Sequence, residues 1–306
     1  MEDSPRHNLL DPDALARGEA LGILARKVVE GYRVGEHRSP FRGFAIEFAQ
    51  HREYTIGDDL RHLDWKVLGK TDRYYIKQYE QDTNFVAHLV LDGSASMNYG
   101  SGSTTKFDYA KSLSACLAYL VALQGDAVAL NLFDERIRET VQRTDNLGKL
   151  RNIMNRLAAF ETRETTHLGN SLNDLAQMVR SRGIIIVISD LLDDEDSIEK
   201  GIQRLRFGGS EIIVFHVLDA AELEFRFEGM VEFVGLEGGS RLKIAPADLR
   251  KSYLQAFGDY RQKIQGICSH AGCHYVLANT QKPLAETLSS YLAFRHKVTA
   301  RYQPGG

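Results

Sequence analysis

The chain has 306 residues, 43% of them hydrophobic, and carries a formal net charge of −3. This length is enough for one large core and an accessory segment, and the slightly acidic balance argues against nucleic acid as the main partner. The apolar runs are much shorter than the roughly 20 residues that cross a bilayer, and the acidic N-terminus does not resemble a signal peptide. The three cysteines form no even disulfide framework, so we expect a cytoplasmic protein without a membrane span.

Residues 1–83 are predicted to form an N-terminal helix and an accessory segment. Asp11 and Pro12 are suited to the N-cap and the first position of a helix that runs to about Glu30. Residues 32–81 are rich in Gly, Arg, Asp and aromatic residues, and they include short strand-like patterns such as "RYYIKQYE".

From residue 84 to 300, strand-like apolar runs alternate with helical periods. The runs are "NFVAHLVLD", "DAVALNLFD", "GIIIVISD", "EIIVFHVLD" and "CHYVLANT", and the helical periods fall near residues 106–123, 147–160, 168–180 and 197–206 and after Pro283. This alternation indicates a doubly wound α/β domain with a mostly parallel sheet covered on both faces. "RIRETVQ" follows its preceding strand closely enough for a hairpin, and residues 223–244 alternate around Gly pairs as a small inserted β-hairpin would.

Two of these runs end in an aspartate, Asp92 and Asp190. Ligands of an open parallel sheet bind outside the carboxyl ends of the strands where the strand order reverses. We therefore expect both carboxylates in one crevice if their strands are neighbours at that point. Ser94 and Ser96 add hydroxyls in the loop after the first strand, and the "ETTHLGNSL" stretch adds a threonine hydroxyl just before a helix. Such a cluster of hard oxygen ligands suits Mg²⁺ or Mn²⁺.

The sequence "DGSAS" at residues 92–96 resembles the D-x-S-x-S motif of von Willebrand factor A domains. "TTHLGNSL" resembles their threonine loop, and Asp190 resembles their distal aspartate. Together these form a metal-ion-dependent adhesion site. The resemblance implies near ligands at Ser94, Ser96 and Thr166, with Asp92 and Asp190 binding the metal directly or through water. Thr166 is preferred to Thr165 because of its spacing to the residues that follow, and Thr165 is expected to cap the helix.

The residues that precede the D-x-S-x-S motif indicate a more specific family. The stretch from "SPFRGFAIEFAQHREYTIGDDLRHLDW" to the D-x-S-x-S motif is similar to the signature of a bacterial family catalogued as domain of unknown function 58, in its soluble form. The resemblance covers about residues 20–300. It implies a MoxR-type AAA+ ATPase as partner. We therefore expect a non-enzymatic, chaperone-like adaptor whose metal binds a Glu or Asp of that partner.

An enzymatic alternative is a Mg²⁺-dependent phosphohydrolase of the haloacid-dehalogenase type, which also begins with a strand that ends in an aspartate beside Mg²⁺. "SDLLDDED" offers later acids that resemble the distal acidic motif of those enzymes. They use a second aspartate two residues after the nucleophile as general acid, and this chain has Ser94 there. A serine does not protonate a leaving group comparably at neutral pH, so binding is preferred to catalysis.

Three further motifs favour structural roles. Gly69-Lys70-Thr71 ends like a Walker A motif, but Asp64 stands where the first glycine is required. "CSHAGCHYVL" has no usual zinc spacing and leads into an apolar strand, which indicates core and helix-end residues. In "GDDLRHLDW", a buried ion-pair network that packs Trp65 against the α/β domain is preferred to a functional site. Its members would be Asp58, Asp59, Arg61, His62 and Asp64.

Overall fold

The largest element of the fold is a six-stranded sheet with helices on both faces. The computed structural model describes residues 20–25, 46–55, 65–71, 73–81, 86–123, 125–163, 167–179, 182–227, 230–234, 241–244, 246–289 and 291. The strands are β1 (Ile46–Glu53), β2 (Tyr75–Gln81), β3 (Val86–Asp92), β4 (Ala127–Phe133), β5 (Ile137–Thr144), β6 (Gly183–Ser189), β7 (Glu211–Leu218), β8 (Val231–Val234), β9 (Arg241–Ile244) and β10 (His274–Asn279).

Helices lie between and beside these strands. They are α1 (20–25), α2 (Trp65–Thr71), α3 (Lys106–Leu123), α4 (Leu150–Ala159), α5 (Leu168–Met178), α6 (Glu195–Phe207), α7 (Ala220–Glu224), α8 (Pro246–His270) and α9 (284–289). Of these, α3, α4, α5 and α6 cover the two faces of the large sheet. Short 3-10 turns occur at Ala95–Asn98 and Leu147–Lys149.

The strand order in the large sheet is β10-β7-β6-β3-β4-β5. Strand β5 is antiparallel to β4, and all other neighbours are parallel. The chain reverses its direction of travel across the sheet between β3 and β6, which are adjacent. The predicted doubly wound α/β class is confirmed, and so is the neighbourhood of the two strands that end in Asp92 and at Asp190.

The central strands are mostly apolar because both faces of the sheet are covered. In β3, Ala87, Leu89 and Leu91 join the core cluster that contains α3 and α4, whereas Val90 joins the cluster that contains α5 and α6. The side chains of strand β6 are distributed between the two clusters in the same alternating way. This two-residue alternation between two buried cores is what a strand at the centre of the fold requires.

Several predicted elements match the structure closely. The helix predicted at 106–123 is α3, and the hairpin predicted at "RIRETVQ" is the antiparallel pair β4 and β5. Strands β8 and β9 pair antiparallel within residues 223–244, where the inserted hairpin is predicted. The 25-residue helix α8 and the short helix α2 were not predicted. The boundary at residues 83 and 84 and most of the predicted helix after Pro12 lie outside the described residues; residues 20–25 are helical.

One prediction for the accessory segment is wrong. Trp65 is 67% exposed, so it does not pack against the α/β domain as proposed for "GDDLRHLDW". The charged residues of that network lie outside the described part of the chain. Gly69, Lys70 and Thr71 are inside helix α2 and not in a loop before a helix, which is incompatible with a phosphate-binding loop.

The "CSHAGCHYVL" residues have structural positions. Cys268 is fully buried in the core, Cys273 is half-buried, and the ring of His270 hydrogen-bonds to the carbonyl of Gly266 in its own helix. Within the described ranges, no helix is long and apolar enough to cross a membrane.

Candidate metal centre

The candidate site begins where β3 ends. The backbone N–H of Gly93 donates a hydrogen bond of 2.7 Å to the carbonyl of Phe133 at the end of β4. A Cβ at residue 93 would lie 3.2 Å from that carbonyl oxygen and would collide with the ring of Phe160. The glycine between the aspartate and the first serine is therefore required by close packing, and it fixes the direction of the loop that follows.

Asp92 and the two serines form one buried hydrogen-bonded group. The carboxylate of Asp92 accepts the backbone N–H of Ser94 on Oδ1 at 2.9 Å and the hydroxyl of Ser189 on Oδ2 at 2.5 Å. The hydroxyls of Ser94 and Ser96 are 3.0 Å apart, and these serines are 0% and 8% exposed. Two hydroxyl oxygens therefore lie side by side next to a carboxylate, at the carboxyl edge of the sheet.

Asp190 is fully buried and is held by three groups. Its Oδ2 accepts a hydrogen bond of 2.7 Å from Lys106, and its Oδ1 accepts the backbone N–H of Leu192 at 3.3 Å. Its backbone carbonyl accepts Nε2–H of His216 at 2.9 Å. Burial lowers the pKa of His216 to about 4, so the ring is neutral and its other nitrogen accepts the hydroxyl of Tyr275 at 2.8 Å.

The loop after Asp190 has an unusual backbone. Leu191 has φ 55°, in the left-handed region that non-glycine residues rarely occupy. The hydroxyl of Tyr260 on α8 donates to the carbonyls of Leu191 and Asp193. These bonds compensate for the strained conformation and hold the loop beside the candidate site.

The site concentrates negative charge. Burial and the neighbouring charge of Asp190 raise the pKa of Asp92 to about 7, although hydrogen bonds from Ser189 and Ser94 oppose that rise. Burial disfavours the charged form of Lys106, but its contacts with Asp190 and Glu222 outweigh this and raise its pKa. When Asp92 is ionised, the three carboxylates in this group exceed the one ammonium by two charges. A divalent cation would balance that excess.

Thr165 and Thr166 lie outside the described residues. The residues that flank them are both tied to this edge of the sheet. The N–H of Arg163 donates to the carbonyl of Gly93 at 2.9 Å, and the N–H of His167 donates to the carbonyl of Asp134 at 3.2 Å. The structure thus brings together four of the five predicted ligands, Asp92, Ser94, Ser96 and Asp190, and the role of Thr166 stays a prediction.

Four contributing residues were not predicted from the sequence: Lys106, Ser189, His216 and Glu222. Ser189 directly precedes Asp190 and could have been inferred from the alternation of a strand. Lys106 and Glu222 are 84 and 32 residues from Asp190 in the chain, and nothing local marks them as its neighbours. His216 lies inside an apolar strand, where a core role is the usual expectation.

The donor set fits a hard divalent cation. Hydroxyl and carboxylate oxygens are the ligands that Mg²⁺ and Mn²⁺ prefer, and the excess of negative charge provides the attraction. Ser94 and Ser96 would hold such an ion directly. Asp92 and Asp190 would bind it directly or through water.

The fold of the protein is von Willebrand factor A-like. Residues 92–96 begin at the end of a central strand of the doubly wound sheet, and Asp190 follows the adjacent strand. More specifically, the chain belongs to the family described as protein of unknown function DUF58, whose family model matches residues 50–263.

Relatives are found in mycobacteria. The chain is 23% identical over 297 residues to the uncharacterized protein Rv1480 of Mycobacterium tuberculosis, covering 95% of this chain and 93% of that protein. The uncharacterized protein Mb1516 of Mycobacterium bovis matches to the same extent. Among solved structures, the protein BatB of Bacteroides thetaiotaomicron is 16% identical with a TM-score of 0.47, covering 70% of this chain and 100% of that chain.

Proposed function

We propose that this protein is a non-enzymatic, metal-dependent protein-interaction module. The observation that carries the proposal is the buried group at the end of β3, where the hydroxyls of Ser94 and Ser96 lie 3.0 Å apart beside the carboxylate of Asp92. Mg²⁺ or Mn²⁺ bound there would supply an open coordination position for a carboxylate from outside the chain. Two neutral hydroxyl ligands leave the ion with enough positive charge to attract such a group.

The residues of the chain have separate tasks in this proposal. Ser94 and Ser96 hold the ion, and Asp92 orients Ser94 through its backbone N–H. Ser189 directs the Asp92 carboxylate through Oδ2. Asp190 adds charge from the neighbouring strand. A Glu or Asp of the partner displaces water from the ion and forms a charge-assisted contact.

The partner we propose is a MoxR-type AAA+ ATPase, which the family resemblance implies. The protein would be an adaptor or co-chaperone of that ATPase during the assembly or maturation of other proteins in the cytoplasm. The partner would then provide ATP hydrolysis. Helix α2 contains the Gly69-Lys70-Thr71 sequence and is not shaped as a phosphate-binding loop, which supports this division of labour.

The phosphohydrolase alternative receives less support. A second acid two residues after Asp92 would be needed to protonate a leaving group, and the side chain there is the hydroxyl of Ser94, which is engaged with Ser96.

The proposal is tested with tagged protein recovered from native cells in Mg²⁺ and in EDTA. We expect an ATPase to co-purify with the natural protein in Mg²⁺. This co-purification should be lost in EDTA, and it should be lost when Asp92→Ala replaces the natural protein. Asp145→Ala is the matched control because Asp145 is an exposed carboxylate away from the site. Circular dichroism checks that both variants are folded.

Retention of the same partner in EDTA, or in Asp92→Ala, would contradict the proposal. Release of phosphate from small phosphomonoesters with Mg²⁺, lost in Asp92→Asn, would replace it with the phosphohydrolase function.

A further inference from the structure

Lys106 is the first residue of helix α3, and its side chain is completely buried. Its ammonium group contacts two carboxylates, Oδ2 of Asp190 at 2.7 Å and Oε1 of Glu222 at 2.7 Å. The ring of Tyr99 lies 5.9 Å from the ammonium and covers a further side. Burying a lysine is costly unless its charge is compensated, so both acids are needed to keep it in place.

Glu222 is itself fixed by the fold. It lies in helix α7, where its Oε2 accepts the backbone N–H of Asp219 at 2.7 Å and completes a capping box. Asp219 is anchored by the hydroxyls of Ser101 and Thr280 at 2.5 and 2.9 Å. The position of the lysine is therefore determined by helix ends and loops of the chain itself.

A fixed ammonium in this position has two effects on a cation at the candidate site. It donates a hydrogen bond to Oδ2 of Asp190, and Leu192 N–H donates to Oδ1, so a metal ion that binds either oxygen shares it with a protein hydrogen. It also places a like charge near the ion in an environment that water does not screen. Both effects lower the affinity for a divalent cation.

We infer that Lys106 is a built-in counter-cation that competes with the divalent metal for Asp190. The inference deepens the proposed function and rests on it. In the metal-free protein the ammonium keeps Asp190 in position, so the site does not collapse. When metal is present, the ammonium limits its affinity, and occupancy then follows the concentration of free metal. Metal loading would thereby regulate access of the partner.

The test is Mg²⁺ titration by isothermal calorimetry of the natural protein and of Lys106→Met, which keeps most of the length of the side chain and removes its charge. We expect the dissociation constant for Mg²⁺ to fall roughly tenfold or more in Lys106→Met. Lys111→Met removes a charge from the same helix away from Asp190 and should change the affinity less than about twofold.

Lys106→Met leaves Asp190 and Glu222 buried without their cation, and its metal-free form should melt at a lower temperature than the natural protein. Should it fail to fold, Glu222→Gln replaces it in the titration. That variant removes the negative charge of Glu222, so the ammonium of Lys106 interacts with Asp190 alone. We expect it to weaken Mg²⁺ binding severalfold.

The outcomes separate the two proposals. Equal Mg²⁺ affinity in the natural protein and in folded Lys106→Met overturns the competition while leaving the metal-dependent function intact. Mg²⁺ binding by Lys106→Met alone supports the competition but contradicts metal dependence in the natural protein. If neither protein binds Mg²⁺ or Mn²⁺, the proposed function fails and this inference fails with it.

Discussion

Asp126 is a buried acid away from the candidate site, and burial changes the pKa of its carboxyl group. Asp126 lies just before β4 and is 4% exposed. Its Oδ1 has no hydrogen-bond partner within the described part of the chain. Burial raises the pKa of Asp126 to about 7, because a carboxylate that is removed from water without compensation is unstable.

This raised pKa determines how stability depends on pH. The ordinary value is 3.8, so between about pH 4 and pH 7 the unfolded chain loses this proton before the folded chain does. The free energy of unfolding contributed by Asp126 therefore falls as pH rises through that window, and the loss is complete above about pH 7. We expect Asp126→Asn to be more stable than the natural protein by roughly 1–3 kcal/mol at pH 8, with a much smaller difference at pH 4.5.

Urea unfolding of both proteins at the two pH values provides the measurement. If Asp126→Asn raised the free energy of unfolding by the same amount at pH 4.5 and at pH 8, the titration of this carboxyl would not be the cause.

At the scale of elements, helices α5 and α6 pack unusually closely. A Cβ at residue 169 would lie 2.7 Å from the carbonyl oxygen of Ser197, and a Cβ at residue 201 would lie 2.9 Å from the Cβ of Leu172. The N–H of Gly169 also donates to Oδ2 of Asp193 at 3.2 Å. This contact joins the start of α5 to the loop that follows Asp190.

We expect Gly169→Ala to lower the free energy of unfolding by about 1–3 kcal/mol, because the added methyl group forces the two helices apart. Gly258→Ala is the matched control, since Gly258 also lies in a helix and a Cβ there has no neighbour within 4 Å. Thermal or urea unfolding of the two variants measures the difference. Equal stability of both variants would show that the α5–α6 interface tolerates the additional atom.

A strand or helix can be predicted from the sequence when its burial produces a clear apolar pattern. Strands β3, β6 and β7 are buried on both faces, and their continuous apolar runs predict them directly. Helix α8 was missed because only Pro246, Ile264 and Cys268 of its 25 residues are buried, so its apolar stripe is weak. Periodicity gives little signal for a long helix that contacts the domain at few points.

The same distinction applies to the candidate site. Asp92, Ser94 and Ser96 are close together in the sequence, and Asp190 was paired with them by the rule for strand ends. Lys106 reaches Asp190 across 84 positions of the chain. A lysine at the start of a helix is usually solvated, and only the packing of α3 against the sheet shows that this one is buried. Long-range charge pairs of this kind leave no local pattern.

On the scale of the whole molecule, the candidate site connects separate parts of the fold. Asp92 follows β3, Asp190 follows β6, and Lys106 begins α3 on one face of the sheet. A metal ion held there would join elements that are separate in the unfolded chain. Binding to the folded state alone raises stability in proportion to the logarithm of ligand concentration.

We therefore expect Mg²⁺ to raise the melting temperature of the natural protein. A 100-fold excess over the dissociation constant corresponds to about 2.7 kcal/mol. The shift should be smaller at pH 6 than at pH 8, because Asp92, with a pKa of about 7, takes up a proton at pH 6 that a metal must displace. Thermal denaturation with Mg²⁺, with EDTA and with Asp92→Ala measures this. A Mg²⁺ shift that persists in Asp92→Ala would place the ion elsewhere.

The packing of Gly93 between the carbonyl of Phe133 and the ring of Phe160 has a further consequence for recognition. The loop that carries Ser94 and Ser96 has little conformational entropy left to lose when a partner arrives, since the central strand and a neighbouring ring already fix its origin. Association at a preorganised surface is limited mainly by the exchange of water and by electrostatic encounter, and not by rearrangement of the backbone. Exchange between bound and free partners can then be fast, which would suit the proposed ATPase complex.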